Sequence, residues 1–418
     1  MIDKQIRDLI QKDLPTQKAT ARQEKKDIIF DLIEAEDKRQ RELIHLIPSE
    51  NFASDEVRMA LGSCLTNKYA EGYPGRRYYQ GNKFIDEIEN LAIERGKRLL
   101  GVEHLNVQPY SGSPANSAIQ MALLERGDKI CGLKLSAGGH LTHGHPKITF
   151  SGKFFESVQY DVEADGRIDY DKLEELVLRE KPKMIMAGTT AYPYILDFKR
   201  FGEIADKVGA WLVADVSHII GLIVGGVHPS PVHDVHLIMS TTHKSLRGPR
   251  GAFIGVTKKG LEKDVKLAEK IDKAVFPGLQ GGPHENNIAA MAVAFAEADT
   301  QEFRDYAKQV VKNASVLAET LKKNGLRVFG TENHLMVVDV GLERPAHSGA
   351  VLAGRGKEMA VKLEENGIVV NANTIPHEQG SPLKPSGIRI GTPAMTTKGW
   401  KEKEFEELGE RIAKIVNS

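Results

Sequence analysis

Two short stretches carry residue types that can do chemistry together, Asp215-Val216-Ser217-His218 and Ser240-Thr241-Thr242-His243-Lys244. Each follows an apolar run, residues 211–214 and 235–239, that reads as a short buried strand. Two neighbouring strands would then deliver a carboxylate and an ammonium group to one sheet edge, where α/β proteins hold ligands. A buried lysine that loses its proton is an amine nucleophile and can form a Schiff base. A carboxylate facing it across a flat ring can keep a pyridinium nitrogen protonated, the pair that pyridoxal phosphate (PLP) chemistry requires. Taken alone, the pair does not choose among transaminases, decarboxylases and aldolases.

Other stretches supply partners for such a site. Residues 110–116, Tyr-Ser-Gly-Ser-Pro-Ala-Asn, stand between an apolar stretch and a helix. Small residues there let backbone amides approach a phosphate at the helix N-terminus; a plain capped turn is the alternative. The loop 138–144 holds His140 and His143 between glycines. It has no acidic or cysteine neighbours to complete a metal site. A histidine ring stacked on a flat cofactor fits this loop better, and a solvent-exposed turn is the alternative for His143. Residues 69–79 hold Tyr69, Tyr73, Tyr78, Tyr79, Glu71, Arg76 and Arg77. Such a loop binds something or packs at an interface, and a site between subunits satisfies both. A glutamate among aromatics can act as general acid or base. Ser49 reads as a helix N-cap. Arg389, on a short strand among apolar neighbours, calls for a substrate carboxylate or an internal salt bridge.

The elements that must position these groups follow from pattern and length. A chain of 418 residues exceeds one ordinary core, and the expected division is a helical arm at 1–54, a large domain at 55–300 and a small domain at 301–418. From 55 to 300 helices alternate with short apolar strands, the signature of a mostly parallel sheet. A long amphipathic helix starts near 301, strand-like runs follow at 335–339 and 367–371, and a helix closes the chain at 402–416. Lys plus Arg and Asp plus Glu both number 57, so no global attraction to nucleic acid or an anionic membrane is expected. Cys64 and Cys131 give neither a metal spacing nor a disulfide framework, which suits a reduced, cytoplasmic setting. No apolar run approaches a membrane span. The first residues, with Asp3, Asp8 and Asp13 among the lysines, do not read as a signal or transit peptide.

In order along the chain, IPSENF, NKYAEGYPGRRYY, VQPYSGSPAN, GGHLTHG, TTAYP, DVSHIIGL, STTHKSLRGPRG, FPGLQGGPH, NANTIP and PSGIRIGTPA resemble the serine hydroxymethyltransferase family. The likeness runs from about Ile28 to the C-terminus. It implies an α/β chain of PLP fold type I, aspartate aminotransferase-like, with a seven-stranded mostly parallel sheet and a smaller α+β C-terminal domain. It implies serine–glycine interconversion with transfer of the one-carbon unit to tetrahydrofolate. By the same resemblance Lys244 carries PLP covalently, Asp215 pairs with the pyridine nitrogen, and His140 stacks on the ring. His218 approaches the ring hydroxyl, Thr190 of TTAYP touches the cofactor, and Ser111, Gly112, Ser113 and His243 hold the phosphate. Ser49 and Arg389 hold the amino acid's carboxylate, and Glu71 moves a proton. Thr241 and Arg250 assist exchange at Lys244. Tyr69, Tyr78, Tyr79, Gly281 and Gly282 come from a neighbouring subunit of a homodimer or tetramer. Leu135, Gly139, His140, Leu141, Asn373, Ser381, Pro382 and Leu383 match the folate pocket. Ala372 and Leu383 depart from the residues usual there, and Tyr194 and Ile220 from those usual elsewhere. The alternatives are a PLP-dependent threonine-type aldolase with weak or modified-pterin dependence and, in another class, a non-catalytic PLP- or RNA-binding protein. No metal, nucleic acid or membrane partner is implied.

Overall fold

The computed structural model describes residues 27–341, 354–378 and 383–418. The chain divides into two compact units at Ile44 and His45. In the first, residues Ile28–Glu42 form a helix whose N-cap Asp27 accepts the Ile29 amide at 3.0 Å. Ile28, Ile29, Phe30, Leu32 and Ile33 are each half exposed or more. The rest of the expected arm, residues 1–26, lies outside the described residues.

The second unit is built on a seven-stranded sheet. Its strands are β1 (His104–Asn106), β2 (Lys129–Leu133), β3 (Glu156–Tyr160), β4 (Met184–Gly188), β5 (Trp211–Asp215), β6 (Leu237–Thr241) and β7 (Ala252–Val256), in the spatial order β1-β7-β6-β5-β4-β2-β3. Pairs from β3 to β6 are parallel, and β7 runs antiparallel to both its neighbours. All residues of β4, β6 and β7 are buried, as expected of strands covered on both faces. Period-two alternation sends Ile185 and Ala187 into one core with Phe198, Phe201 and Phe253. It sends Met184 and Met186 into the other with Ile119 and Leu267.

Two helices flank the strand ends. Helix α1 (Lys83–Leu100) ends at Gly101 in the left-handed conformation, and α2 (Gly112–Leu123) follows β1. Helix α3 (Glu285–Ala298) leads to α4 (Gln301–Lys323), whose cap Thr300 accepts the Phe303 amide at 3.2 Å. Beyond it a four-stranded antiparallel sheet, β8 (Arg327–Phe329), β9 (Leu335–Asp339), β10 (Asn371–Asn373) and β11 (Gly387–Gly391), has the order β8-β9-β11-β10. The last helix is Glu402–Asn417.

Element positions moved by a residue or two from expectation. The apolar run at 235–239 is paired as Leu237–Thr241, because the ladder is set by Thr241 opposite Ala252 and Leu237 opposite Val256. Hydrophobicity reports burial; the ladder partner fixes the ends. The run at 367–371 breaks into Ile368–Val369 and β10. No helix among the described residues is long and apolar enough to cross a membrane.

Candidate active site

The parallel register brings the carboxyl ends of β5 and β6 together. Asp215 is the last residue of β5, Thr241 is the last of β6, and Lys244 stands in the turn beyond it. All three line one cavity of about 380 Å³, with Ser49, Gly112, His140, Thr190, His218 and Arg389. Lys244 Nζ donates to Thr241 Oγ1 at 2.7 Å. Burial lowers the lysine to about 8; Asp215 pulls it up, and the positive charges of Arg250 and Arg389 push it down. An amine in this range is half free near pH 8, well below an ordinary lysine, and a nucleophile needs that free form.

Asp215 is the most heavily supported side chain in the cavity. Oδ1 accepts Ser217 Oγ at 2.6 Å and the Ser217 amide at 3.2 Å. Oδ2 accepts Asn116 Nδ2 at 3.0 Å and faces His143 Nε2 at 2.8 Å. Burial alone would raise this carboxyl; hydrogen bond and charge from His143, then His140 and Ser217, outweigh it and hold it well below the usual carboxylate range.

His143 is the main correction to the sequence reading. It does not occupy a solvent-exposed turn: it is 1% exposed and bonded to Asp215. Two strand glycines let its loop turn inward. A Cβ on Gly132 would fall 2.0 Å from His143 O, and one on Gly188 would fall 2.9 Å from its Cε1 and 2.6 Å from Asp215 Cβ. Glycines inside strands mark close approach of another group, and that signal could have found His143. Asn116 and Ser217 also hold the carboxylate; the sequence stretches that carry them assign neither a role.

Burial disfavours the charged forms of His140, His218 and His243. His140 Nδ1 lies 2.8 Å from Thr142 Oγ1, which also accepts from Asn116 at 2.8 Å. Burial, then His143, pushes His140 down to about 4. Burial holds His218 well below its usual value, with Lys244 and Arg389 adding to it. Its Nδ1 is 3.4 Å from Nε2 of His334, a fully buried residue not singled out from sequence. Burial and Lys244 bring His243 down to about 3. These rings can stack and hydrogen-bond without adding charge.

Helix α2 supplies the anion cradle. Ser111 is its N-cap, yet the side chain makes no capping hydrogen bond, so a plain capped turn does not describe it. Ser111 and Ser113 are exposed, leaving hydroxyls, amides and the positive end of a 12-residue helix open to an anion. A Cβ on Gly112 would lie 2.8 Å from Thr241 Cγ2, so glycine lets this helix end sit against β6.

Ser49 is not the helix cap that sequence alone suggested. Residues Asp55–Leu61 form that helix, and Ser54 Oγ caps it by accepting the Val57 amide at 3.2 Å; Ser49 lines the cavity. Arg389, on β11, donates to Asn371 Oδ1 at 3.0 Å and to Thr190 O. Among the described residues no carboxylate pairs with it, so the internal salt bridge is absent and the guanidinium can take a ligand carboxylate. Burial lowers it to about 10, and it stays charged.

A second group gathers away from this cavity. Tyr69 OH donates to Glu71 Oε1 at 3.1 Å. A Cβ on Gly281 would lie 3.2 Å from that oxygen, and one on Gly282 would lie 3.3 Å from the Tyr69 ring. Tyr79 meets Tyr69 edge-on at 5.0 Å, and Tyr78 meets Phe276 at 5.7 Å. Tyr69, Tyr78 and Tyr79 are largely exposed, and none of this group lines the Lys244 cavity. Beneath the loop, Arg77 pairs with Glu89 at 2.6 Å and Asp86 at 2.8 Å, and Glu285 stands 3.8 Å away. Arg250 is exposed and acts on Lys244 by charge alone. Of the folate-side expectations, Leu135, Gly139, His140, Leu141 and Asn373 line the cavity. Leu383 is 86% exposed, and Ser381 and Pro382 lie outside the described residues.

The sequence is also similar to known proteins. A sequence model of the family described as serine hydroxymethyltransferase matches residues 22–412. The chain is 52% identical over 393 residues to the serine hydroxymethyltransferase of Acidothermus cellulolyticus, covering 93% of this chain and 88% of the relative. It is 49% identical over 401 residues to that of Desulfotalea psychrophila, covering 96% and 90%.

Proposed function

The chain belongs to the serine hydroxymethyltransferase family, and on that premise we propose how its own residues carry out the family's reaction. It is a transferase of PLP fold type I that interconverts serine and glycine and passes the hydroxymethyl carbon to tetrahydrofolate. The family uses PLP and tetrahydrofolate. The side chains present suit the first of these. Lys244 is an amine near 8, Asp215 is held ionised, and the N-terminus of α2 offers Ser111 with no cap to make.

Lys244 would hold PLP covalently through Nζ. Asp215 would hold the proton of the ring nitrogen, with His140 against the ring and His218 and Thr190 at its edge. Ser111, Gly112, Ser113 and His243 would hold the phosphate. When bound, PLP supplies an electron sink for the pair left at Cα when the Cα–Cβ bond of serine breaks. Arg389 and Ser49 would bind the amino acid's carboxylate and so orient that bond. Thr241 takes a hydrogen bond from Lys244, and Arg250 lowers its proton affinity by charge, which favours the free amine. Leu135, Gly139, Leu141 and Asn373, with Ser381, Pro382 and Leu383, would line the tetrahydrofolate side.

Glu71 would move the proton on the serine hydroxyl from a neighbouring subunit. With Tyr69, Tyr78, Tyr79, Gly281 and Gly282 it stands apart from its own chain's cavity, which supports a homodimer or tetramer with shared sites. We place the domain divisions near residues 54 and 300 and the enzyme in the cytoplasm.

The observation that carries the reading is Lys244 hydrogen-bonded to Thr241 in one cavity with Asp215 and Arg389. The test is serine-to-glycine conversion by the PLP-loaded enzyme with and without tetrahydrofolate. Acceleration is expected. A rate indifferent to tetrahydrofolate, together with cleavage of threonine, would instead identify an aldolase.

A further inference from the structure

The turn that carries Lys244 is held in an unusual shape. Arg247, three residues on, has φ of 62°, in the left-handed region that costs any side chain but glycine. Its amide donates to Lys244 O at 3.1 Å and closes the turn. Such a conformation persists when its surroundings over-determine it. The Arg247 guanidinium lies over two rings of α4, Tyr306 at 4.4 Å and Phe303 at 5.1 Å.

A second side chain reaches the same carbonyl. Asn51 Nδ2 donates to Lys244 O at 3.1 Å and to Tyr306 OH at 2.8 Å. Asn51 Oδ1 accepts from Thr397 Oγ1 at 2.7 Å and from the Phe52 amide at 3.0 Å. On the other side of the turn, Ser245 Oγ donates to His218 O at 2.9 Å and accepts the Gly221 amide at 3.0 Å. The peptide plane after Lys244 is therefore fixed from the segment carrying Ser49, from α4, from the helix that follows β11, and from the His218 loop. Fixing that plane fixes the direction in which the lysine side chain leaves the backbone.

We propose that Arg247 and Asn51, braced on Tyr306, are positioning residues that aim Lys244 Nζ at the carbon it must attack. The proposal rests on Lys244 being the cofactor lysine. Neither residue lines the Lys244 cavity; both act through the backbone of Lys244. The attack is unfavourable from most lysine rotamers, so a turn free to swing lowers the fraction of encounters that react.

The test is the rate at which cofactor-free protein takes up PLP, followed by absorbance, beside kcat and KM for serine in the loaded enzyme. Arg247→Gly keeps the left-handed conformation accessible and removes the ring contact; Asn51→Ala removes the donor. Each is expected to slow uptake and lower kcat about tenfold, with KM for serine within about twofold, a loss typical of a misplaced reacting group. Tyr306→Phe keeps the ring under Arg247 and removes the hydroxyl that accepts from Asn51 and also meets Thr397. It is least able to disturb folding and is expected to slow uptake about threefold, the effect of one modest hydrogen bond. Wild-type uptake in all three variants overturns the clamp. Lys244→Ala separates the two ideas: if it still forms the visible covalent band, the lysine itself is wrongly assigned; if it loses the band and the clamp variants behave as wild type, only the clamp falls.

Discussion

His143 Nε2 lies 2.8 Å from Asp215 Oδ2, and neither side chain is open to solvent. An ionised carboxylate only accepts, so His143 donates from Nε2. The pair keeps a charge in a place where burial would remove it.

Removing the carboxylate's charge should therefore stop turnover without emptying the site. Asp215→Asn is expected to bind PLP and to lower kcat by at least about a hundredfold, the scale of losing a preorganised electrostatic partner. His143→Asn loses part of that support and should lower kcat about tenfold. Near-normal serine cleavage by Asp215→Asn would remove the electron-sink role.

The lysine carries a pH signature. Burial takes Lys244 from its usual value to about 8, so in cofactor-free protein its labelling by an amine-selective reagent should be half-maximal near pH 8. An ordinary lysine titrates near about 10.4. Asp215 raises the lysine, so Asp215→Asn should move the midpoint further down. Mass spectrometry of the labelled peptide across pH 6–11 decides it; an upward move would contradict the assigned coupling.

Glu285 gives a stability prediction of the opposite kind to the usual carboxylate. Burial, then the nearby Glu89, raises its carboxyl to about 8, against the pull of Arg77. Below pH ~4.5 it is protonated in both folded and unfolded chains and costs nothing. Between ~4.5 and 8 the unfolded chain ionises while the folded one does not, so stability falls as pH rises, and the loss levels off above 8. Glu285→Gln keeps the shape of the protonated acid. It should leave the melting temperature unchanged at pH 4 and raise it at pH 8. Equal shifts at both pH values would refute the buried-acid account.

The position of Glu71 predicts complementation. Lys244→Ala and Glu71→Gln should each be nearly inactive. Dissociated and re-associated together in equal amounts, they should recover about a quarter of wild-type activity. Half of the dimers are then mixed, and each mixed dimer keeps one of two sites whole. No recovery from verified mixed dimers would place Glu71 with its own chain's lysine.

The sequence makes the site's chemistry legible wherever one residue type serves one task. Lys244 and Asp215 follow apolar runs, and Arg389 stands on a short strand, so burial and charge could be read together. Support contacts are harder to read. His143, Asn116, Ser217 and His334 owe their roles to the parallel register of β4, β5 and β6 and to the approach of β9, none of which a single chain's pattern encodes. The two glycines that admit His143 were visible, but the residue they admit lies 11 positions after one and 45 before the other, by subtraction. Strand ends moved because hydrophobicity marks depth and not pairing, as at Leu237–Thr241. The sequence pattern points to a cap at Ser49 because the true cap, Ser54, is only five residues away.

The separation of Glu71 and its tyrosines from the lysine of the same chain also bears on how the catalyst behaves when scarce. If each site needs two chains, specific activity is a property of concentration. Below the dissociation constant of the pair, halving the protein should cut the rate fourfold, because active sites then scale with the square of the chain concentration. Expression level, and not only the integrity of each molecule, would then set the flux of one-carbon units.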